Sequence, residues 1–149
     1  MTWLLDTNIV LRVFNPHDPA HADIRGAVET LLDQGARLHI SVQNAAEVWN
    51  ASTRSTDRNG LGYTPHEAAA LLDLIETIAP VLPDHPDTYS QWKRLVREFS
   101  VSGVQVHDAR LAAWMLAHGM DRILTRNTAD FARYESAGIQ AVSPRGVLA

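Results

Sequence analysis

Residues 3–10 of the chain read Trp-Leu-Leu-Asp-Thr-Asn-Ile-Val, and this stretch decides the fold class. The short apolar run from Trp3 to Leu5 ends abruptly at Asp6. Apolar residues then recur at helical spacing between Ile9 and Phe14. The stretch therefore predicts a buried strand, a polar turn and a helix.

The same alternation of strands and helices continues along the rest of the chain. Further strands are predicted at residues 38–42, 81–82, 122–125 and 139–142, and helices at residues 20–34, through 47 to about 55, 64–78, 87–99 and 104–118. Strands that carry few charges and alternate with helices favour a parallel sheet with helices on both faces. We expect an α/β fold in a single domain over residues 1–149.

Composition excludes several classes of site. The 149 residues include 13 Lys and Arg, 17 Asp and Glu and no Cys, giving a net charge of −4. Disulfide scaffolds, thiol nucleophiles and cysteine-based metal sites are thereby excluded. The sequence shows no signal-peptide pattern and no apolar stretch approaching about 18 residues, so we expect a cytoplasmic protein.

Acidic side chains stand where ligands bind in a parallel sheet, outside the carboxyl ends of the strands. Asp6 follows the first strand, Asp108 lies near the start of a helix, and Asp130 comes shortly after the strand that ends at Thr125. Each also has an ordinary alternative, since Asp and Asn commonly cap helices. Asn127 as the cap of a short helix, for instance, would explain part of the segment that follows Thr125.

Glu47 is the weakest member of this set. If Val42, Ala45, Ala46 and Trp49 form the buried stripe of its helix, Glu47 lies on the solvent side, as most mid-helix glutamates do. Several acids gathered at one sheet edge would nevertheless repel each other and favour a hard divalent cation. Oxygen ligands are those that Mg²⁺ and Mn²⁺ prefer.

Four segments together carry a resemblance to a known family. These are residues 4–8 (Leu-Leu-Asp-Thr-Asn), 46–48 (Ala-Glu-Val), 107–113 (His-Asp-Ala-Arg-Leu-Ala-Ala) and 125–131 (Thr-Arg-Asn-Thr-Ala-Asp-Phe). In order and spacing the chain resembles the PIN-domain ribonucleases, and within them the VapC-type toxins of type II toxin–antitoxin systems. The resemblance covers nearly the whole chain.

The resemblance implies a PIN-like fold and an Mg²⁺-dependent endoribonuclease, with Mn²⁺ as an alternative metal. It also implies homodimerisation, an RNA substrate and a cognate antitoxin. It makes four acids the catalytic and metal-binding quartet: Asp6, Glu47, Asp108 and Asp130. Asn8 and Thr125 are expected to support them, as is Asn127, which occupies a position that is acidic in some relatives.

RNA that approaches an acidic centre needs basic residues nearby. Arg126, Arg110 and Arg12 are the candidates for RNA binding, although each is equally consistent with an ordinary surface or ion-paired arginine. Apolar residues on the first two helices (Val10, Phe14, Ile24 and Leu31) are consistent with either core or a partner surface. All four tryptophans are expected in the core.

Two other functions remain open from the sequence. The Asp-Thr-Asn turn is also similar to the start of haloacid-dehalogenase-like phosphatases, but Asn8 cannot donate the proton that their second acid supplies, and Lys93 is the chain's one lysine. A non-catalytic PIN-like module that binds RNA or protein is the other alternative. The four acids argue against it.

Overall fold

The computed structural model describes all residues, 1–149. Its helices and strands are β1 (Thr2–Leu5), α1 (Thr7–Val13), α2 (His21–Asp33), β2 (Arg37–Ser41), α3 (Val42–Thr53), α4 (Pro65–Ile78), β3 (Val81–Leu82), α5 (Thr88–Glu98), α6 (Val106–Ala117), β4 (Arg122–Leu124), β5 (Gln140–Val142) and α7 (Pro144–Leu148). Short 3₁₀ segments occupy Thr56–Arg58, Gly103–Gln105 and Thr128–Ala137. None of the helices combines the length and apolar character that crossing a membrane requires.

The five strands form one parallel sheet in the order β3-β2-β1-β4-β5. β1 is central, and Leu4 lies opposite His39 of β2 and Ile123 of β4. Because all strands run the same way, their carboxyl ends meet at one edge, which is where β1 delivers Asp6. The predicted parallel α/β fold is confirmed.

Successive residues of β1 point to opposite faces of the sheet and enter two separate cores. Leu5 packs with residues of α1 to α4, among them Ile9 and Ile75. Leu4 packs instead with α5, α6 and the last 3₁₀ segment, where Trp114 is the largest buried side chain. Helices thus cover both faces of the sheet, as the small number of charges in the strands predicted.

Local hydrogen bonds explain where two of the helices begin. At α4 the hydroxyl of Thr64 accepts from the backbone N–H of Glu67, while the Glu67 carboxylate accepts from the backbone N–H of Thr64, each at 3.1 Å. Ser41 and Asn44 form an equivalent box at α3. Such boxes satisfy backbone N–H groups that a helix start leaves unpaired.

Two regions near the C-terminus differ from the sequence-based expectation. Residues 128–137 form 3₁₀ turns, and Asn127 makes no side-chain cap at their start, so the capping prediction was wrong. The short helix α7 was not predicted at all. Its five residues show no periodicity, and its start is fixed locally by the Ser143 hydroxyl, which accepts from the N–H of Gly146 at 3.0 Å.

The predicted buried stripe of α3 was wrong. Val42 and Trp49 are exposed, at 45% and 39%, and the helix instead buries Gln43, Asn44 and Val48. The inner face of α3 is partly polar because it covers the polar edge of the sheet as well as the apolar core, to which Val48 belongs. Glu47 therefore lies on the inward side of the helix, half-buried, and not on the solvent side.

Among the other residues predicted to be in the core, some are buried and others are not. Trp3 and Trp114 are buried as predicted, whereas Trp49 is not a core residue. On the first two helices, Val10, Ile24 and Leu31 are buried in the core, which removes them from any partner surface, and Phe14 is partly buried against that core.

Candidate active site

Asp6 anchors the site at the point where β1 ends. Its backbone N–H donates to the carbonyl of Leu124 on the neighbouring β4 at 3.0 Å, which fixes the two strand ends together. One carboxylate oxygen accepts from the N–H of Thr7 at 2.8 Å, and the other from the hydroxyl of Thr125 at 2.7 Å. Asp6 is therefore a helix cap and a member of the site at once.

Asn8 links these groups to the chain that follows β4. Its amide nitrogen lies 3.4 Å from the second Asp6 oxygen and 3.3 Å from the Thr125 hydroxyl, and its amide oxygen accepts from the N–H of Arg126 at 3.1 Å. Thr125 also accepts from the N–H of Asn127 at 3.1 Å. Asn8 and Thr125 thus orient Asp6, whereas Asn127 reaches this network through its backbone.

Glu47 is held by two side chains that the sequence reasoning missed. The Thr7 hydroxyl donates to one Glu47 oxygen at 2.7 Å, and the Gln43 amide donates to the other at 2.9 Å. Gln43 also donates to the carbonyl of His107 at 3.0 Å, and Asn44 donates to the Thr7 hydroxyl at 3.1 Å. These bonds fix α3 to both α1 and the start of α6.

Two signals for these residues were present in the sequence. Gln43 precedes Glu47 by one helical turn, the spacing at which side chains on a helix meet. Thr7 sits between Asp6 and Asn8, two residues already singled out. Neither signal shows that Thr7 reaches a glutamate 40 positions away.

Asp108 and Asp130 complete the acidic set from two further elements. Asp108 lies in the first turn of α6 and is half-buried, and Asp130 lies in the 3₁₀ segment after β4 and is exposed. Asp108 makes no side-chain hydrogen bond, whereas the backbone N–H of Asp130 donates to the carbonyl of Asn127 at 3.1 Å. Four separate elements therefore supply the four acids.

The electrostatics show that these acids act on one another. Burial raises the pKa of the Asp6 carboxyl, hydrogen bonds from Thr125 and Thr7 oppose that rise, and the charges of Glu47 and Asp130 add to it. The pKa of Asp108 is raised to about 6, first by burial and then by the charges of Asp130, Asp6 and Glu47, against the opposing effect of His107. A nearby cation would relieve the repulsion within this group.

The donor set fits a hydrated hard cation. No three of these side chains lie close enough together to surround a metal ion by themselves. Mg²⁺, however, is usually bound by one or two carboxylates and keeps several waters. The amide oxygen of Gln43 adds an acceptor beside Glu47 that is buried without a hydrogen-bond partner. We call the set of Asp6, Glu47, Asp108 and Asp130 the acidic cluster.

The three arginines considered for RNA binding differ in whether an acidic side chain already pairs with them. Arg126 is exposed, forms no ion pair, and is fixed beside the acidic cluster through its backbone. Arg110 pairs with Asp84 at 3.3 Å. Arg12 pairs with Asp18 at 3.1 Å and donates to the carbonyl of Asn8 at 2.9 Å, so it stabilises the α1 region.

The five-stranded parallel sheet with helices on both faces agrees with the comparison of the sequence with known families. The PIN domain family model matches residues 3–136. The chain belongs to the PIN-domain family. No curated protein matches the chain in sequence.

Solved structures of similar fold cover nearly all of this PIN-domain chain. VapBC-1 from nontypeable Haemophilus influenzae has a TM-score of 0.70 at 16% identity, over 97% of this chain and 99% of that one. DNA-bound VapBC from Salmonella typhimurium has a TM-score of 0.70 at 18% identity, over 97% and 98%. Mycobacterium tuberculosis VapC20, described as a sarcin-ricin loop cleaving toxin, has a TM-score of 0.60 at 18% identity, over 93% and 96%. At these identities the likeness establishes the fold.

Proposed function

We propose that this PIN-domain protein is an Mg²⁺-dependent endoribonuclease that acts as the toxin of a type II toxin–antitoxin pair. The observation that carries the proposal is the acidic cluster, in which burial and mutual repulsion raise the pKa of Asp6 and Asp108. Because ionised carboxylates in this cluster repel one another, the site is suited to bind a cation and, through the cation, a phosphate.

The structural neighbours support both the reaction and the partner. One of them is a toxin that cleaves the sarcin-ricin loop, and others are complexes of toxin with antitoxin. We infer that the present chain likewise hydrolyses RNA and is bound by a cognate antitoxin. Mn²⁺ is an acceptable substitute because it accepts the same oxygen ligands.

In this proposal Asp6 and Asp108 would be the direct ligands of Mg²⁺, and Glu47 and Asp130 would complete its shell through the metal or its waters. The metal supplies a water of lowered pKa and stabilises charge that builds up on the phosphate. Thr125, Thr7 and Asn8 orient Asp6, and Thr7 with Gln43 orients Glu47.

Homodimerisation also belongs to the proposal, and exposed apolar side chains support it. Val42 and Trp49 on α3 and Leu74 on α4 are between 39% and 49% exposed. Light scattering of the purified protein measures the mass directly. A mass of twice the chain is expected, and a monomer at micromolar concentration contradicts this part of the proposal.

The function is tested by incubating purified protein with total RNA in Mg²⁺ or in excess chelator. The wild-type protein should give discrete fragments with Mg²⁺ and none with chelator, and Asp6→Asn should give none in either. Asp73→Asn is the matched control, because Asp73 is exposed on α4 and makes no ion pair or side-chain hydrogen bond. Cleavage that survives Asp6→Asn would refute the assigned site.

A further inference from the structure

A cavity lies at the same edge of the sheet as the acidic cluster. It has a volume of about 370 Å³ and is bordered by the residues that follow β4 and β5 and by the start of α2. Arg126 follows β4, Ser143 and Arg145 follow β5, and Asp23 belongs to α2. We call it the β4–β5 cavity.

The β4–β5 cavity is connected to the acidic cluster through one short segment. Arg126, which lines the cavity, directly follows Thr125, whose hydroxyl donates to Asp6. The backbone N–H of Arg126 donates to Asn8, which also contacts Asp6. A phosphate placed at Asp6 would therefore have this cavity as a neighbouring site for the next part of the polymer.

The charge in the cavity is positive and incompletely paired. Arg145 contacts Asp23 at 3.1 Å, with the two side chains 88% and 48% exposed, and Arg126 forms no ion pair. An ion pair in such an exposed position contributes little stability, because water competes for both partners. The Asp23 carboxylate can therefore leave Arg145 at small cost.

A phosphate is the natural replacement for this carboxylate. The guanidinium group binds carboxylates and phosphates through the same planar pair of N–H donors. We propose that the β4–β5 cavity binds a backbone phosphate of the RNA flanking the cleaved bond, through Arg126 and Arg145. Asp23 competes with that phosphate for Arg145 and so weakens binding. This inference rests on the proposed RNA substrate.

The test is the binding of a short fluorescent single-stranded RNA of randomised sequence, measured by anisotropy in chelator so that the RNA stays intact. Arg145→Ala should lower affinity about fivefold at roughly 0.1 M salt, since one phosphate contact changes the slope of log affinity against log salt by about 0.7 for single strands. Asp23→Asn should raise affinity by a similar factor. Opposite effects from the two partners of one ion pair distinguish binding from loss of stability.

Arg25→Ala is the matched control, because Arg25 is also exposed on α2 and also pairs with an acid, Glu29, at 2.7 Å. It should leave the affinity for RNA unchanged. The inference is overturned if wild-type protein binds RNA and Arg145→Ala and Asp23→Asn both bind it equally well. If wild-type protein neither binds nor cleaves RNA, the proposed function fails and takes the inference with it.

Discussion

The repulsion within the acidic cluster predicts that removing one of its charges stabilises the metal-free protein. Asp108 is the best position for this test, because it makes no side-chain hydrogen bond that an asparagine would lose. Its pKa is raised to about 6 by burial first and then by the charges of Asp130, Asp6 and Glu47. Asp108→Asn should therefore raise the free energy of unfolding at neutral pH while it abolishes cleavage.

The direction in which stability changes with pH follows from whether the folded or the unfolded chain binds a proton at Asp108. Below pH 3.8 Asp108 is protonated and uncharged in both the folded and the unfolded chain, so it does not lower the free energy of unfolding. Between pH 3.8 and about 6 it ionises in the unfolded chain and stays protonated in the folded one. The wild-type protein therefore loses stability as pH rises through this window, and above it the loss is complete.

The magnitude follows from the same two pKa values. Each tenfold change in an ionisation constant is worth about 1.4 kcal/mol, so a rise from 3.8 to about 6 gives an upper limit of roughly 3 kcal/mol. Solvent screening of this half-buried carboxyl reduces the expected gain of Asp108→Asn to about 1.5 kcal/mol at pH 7.5. At pH 4 the variant and the wild-type protein should be nearly equal in stability.

Urea unfolding with chelator present measures this difference at both pH values. Asp73→Asn controls for the general effect of removing an exposed acid, and it should change stability by less than about 0.5 kcal/mol at either pH. This prediction fails if Asp108→Asn is no more stable than wild type at pH 7.5. It fails equally if the gain in stability persists undiminished at pH 4.

Three further predictions test the site and its support. Thr7→Val removes the hydroxyl that orients Glu47 and should lower the rate of RNA cleavage roughly tenfold or more with secondary structure unchanged. Thr53→Val is its control, because the Thr53 hydroxyl bonds only within α3, and it should keep full activity in the same assay. Mg²⁺ should raise the melting temperature more at pH 7.5 than at pH 5, because Asp108 must ionise to bind it; a pH-independent gain in calorimetry would contradict this. Thr64→Ala should cost about 1 kcal/mol in urea unfolding by removing the α4 cap, and a loss of cleavage by the folded variant would contradict its purely structural role.

The sequence predicted the parts of the fold that depend on local pattern. The apolar run before Asp6, the spacing of apolar residues after it and the capping box at Thr64 each predict an element that the structure contains. Helix α7 and the 3₁₀ segment at 128–137 were not predicted as such, because short segments are fixed by single hydrogen bonds and packing rather than by periodicity. The family resemblance and the alternation of strands and helices led to the same architecture.

In the candidate site, too, the sequence predicted what local pattern determines and not what long-range contacts determine. Asp6 could be singled out because it directly follows a strand of a parallel sheet, where ligands bind. Glu47 was misplaced, because a helix that covers a polar edge buries Gln43 and Asn44 and exposes Trp49, which reverses the usual apolar stripe. The bond between Thr7 and Glu47 joins residues 40 positions apart, and no local pattern encodes it.

We propose that the acidic cluster binds a divalent metal and that RNA cleavage depends on it. Mn²⁺ titration followed by electron paramagnetic resonance, with cleavage of total RNA measured on the same samples, tests both halves together. Wild-type protein should bind Mn²⁺ and cleave over one concentration range, and Asp6→Asn should lose both. Cleavage that persists in chelator, or Mn²⁺ binding that Asp6→Asn leaves unchanged, would contradict metal-dependent cleavage at the acidic cluster.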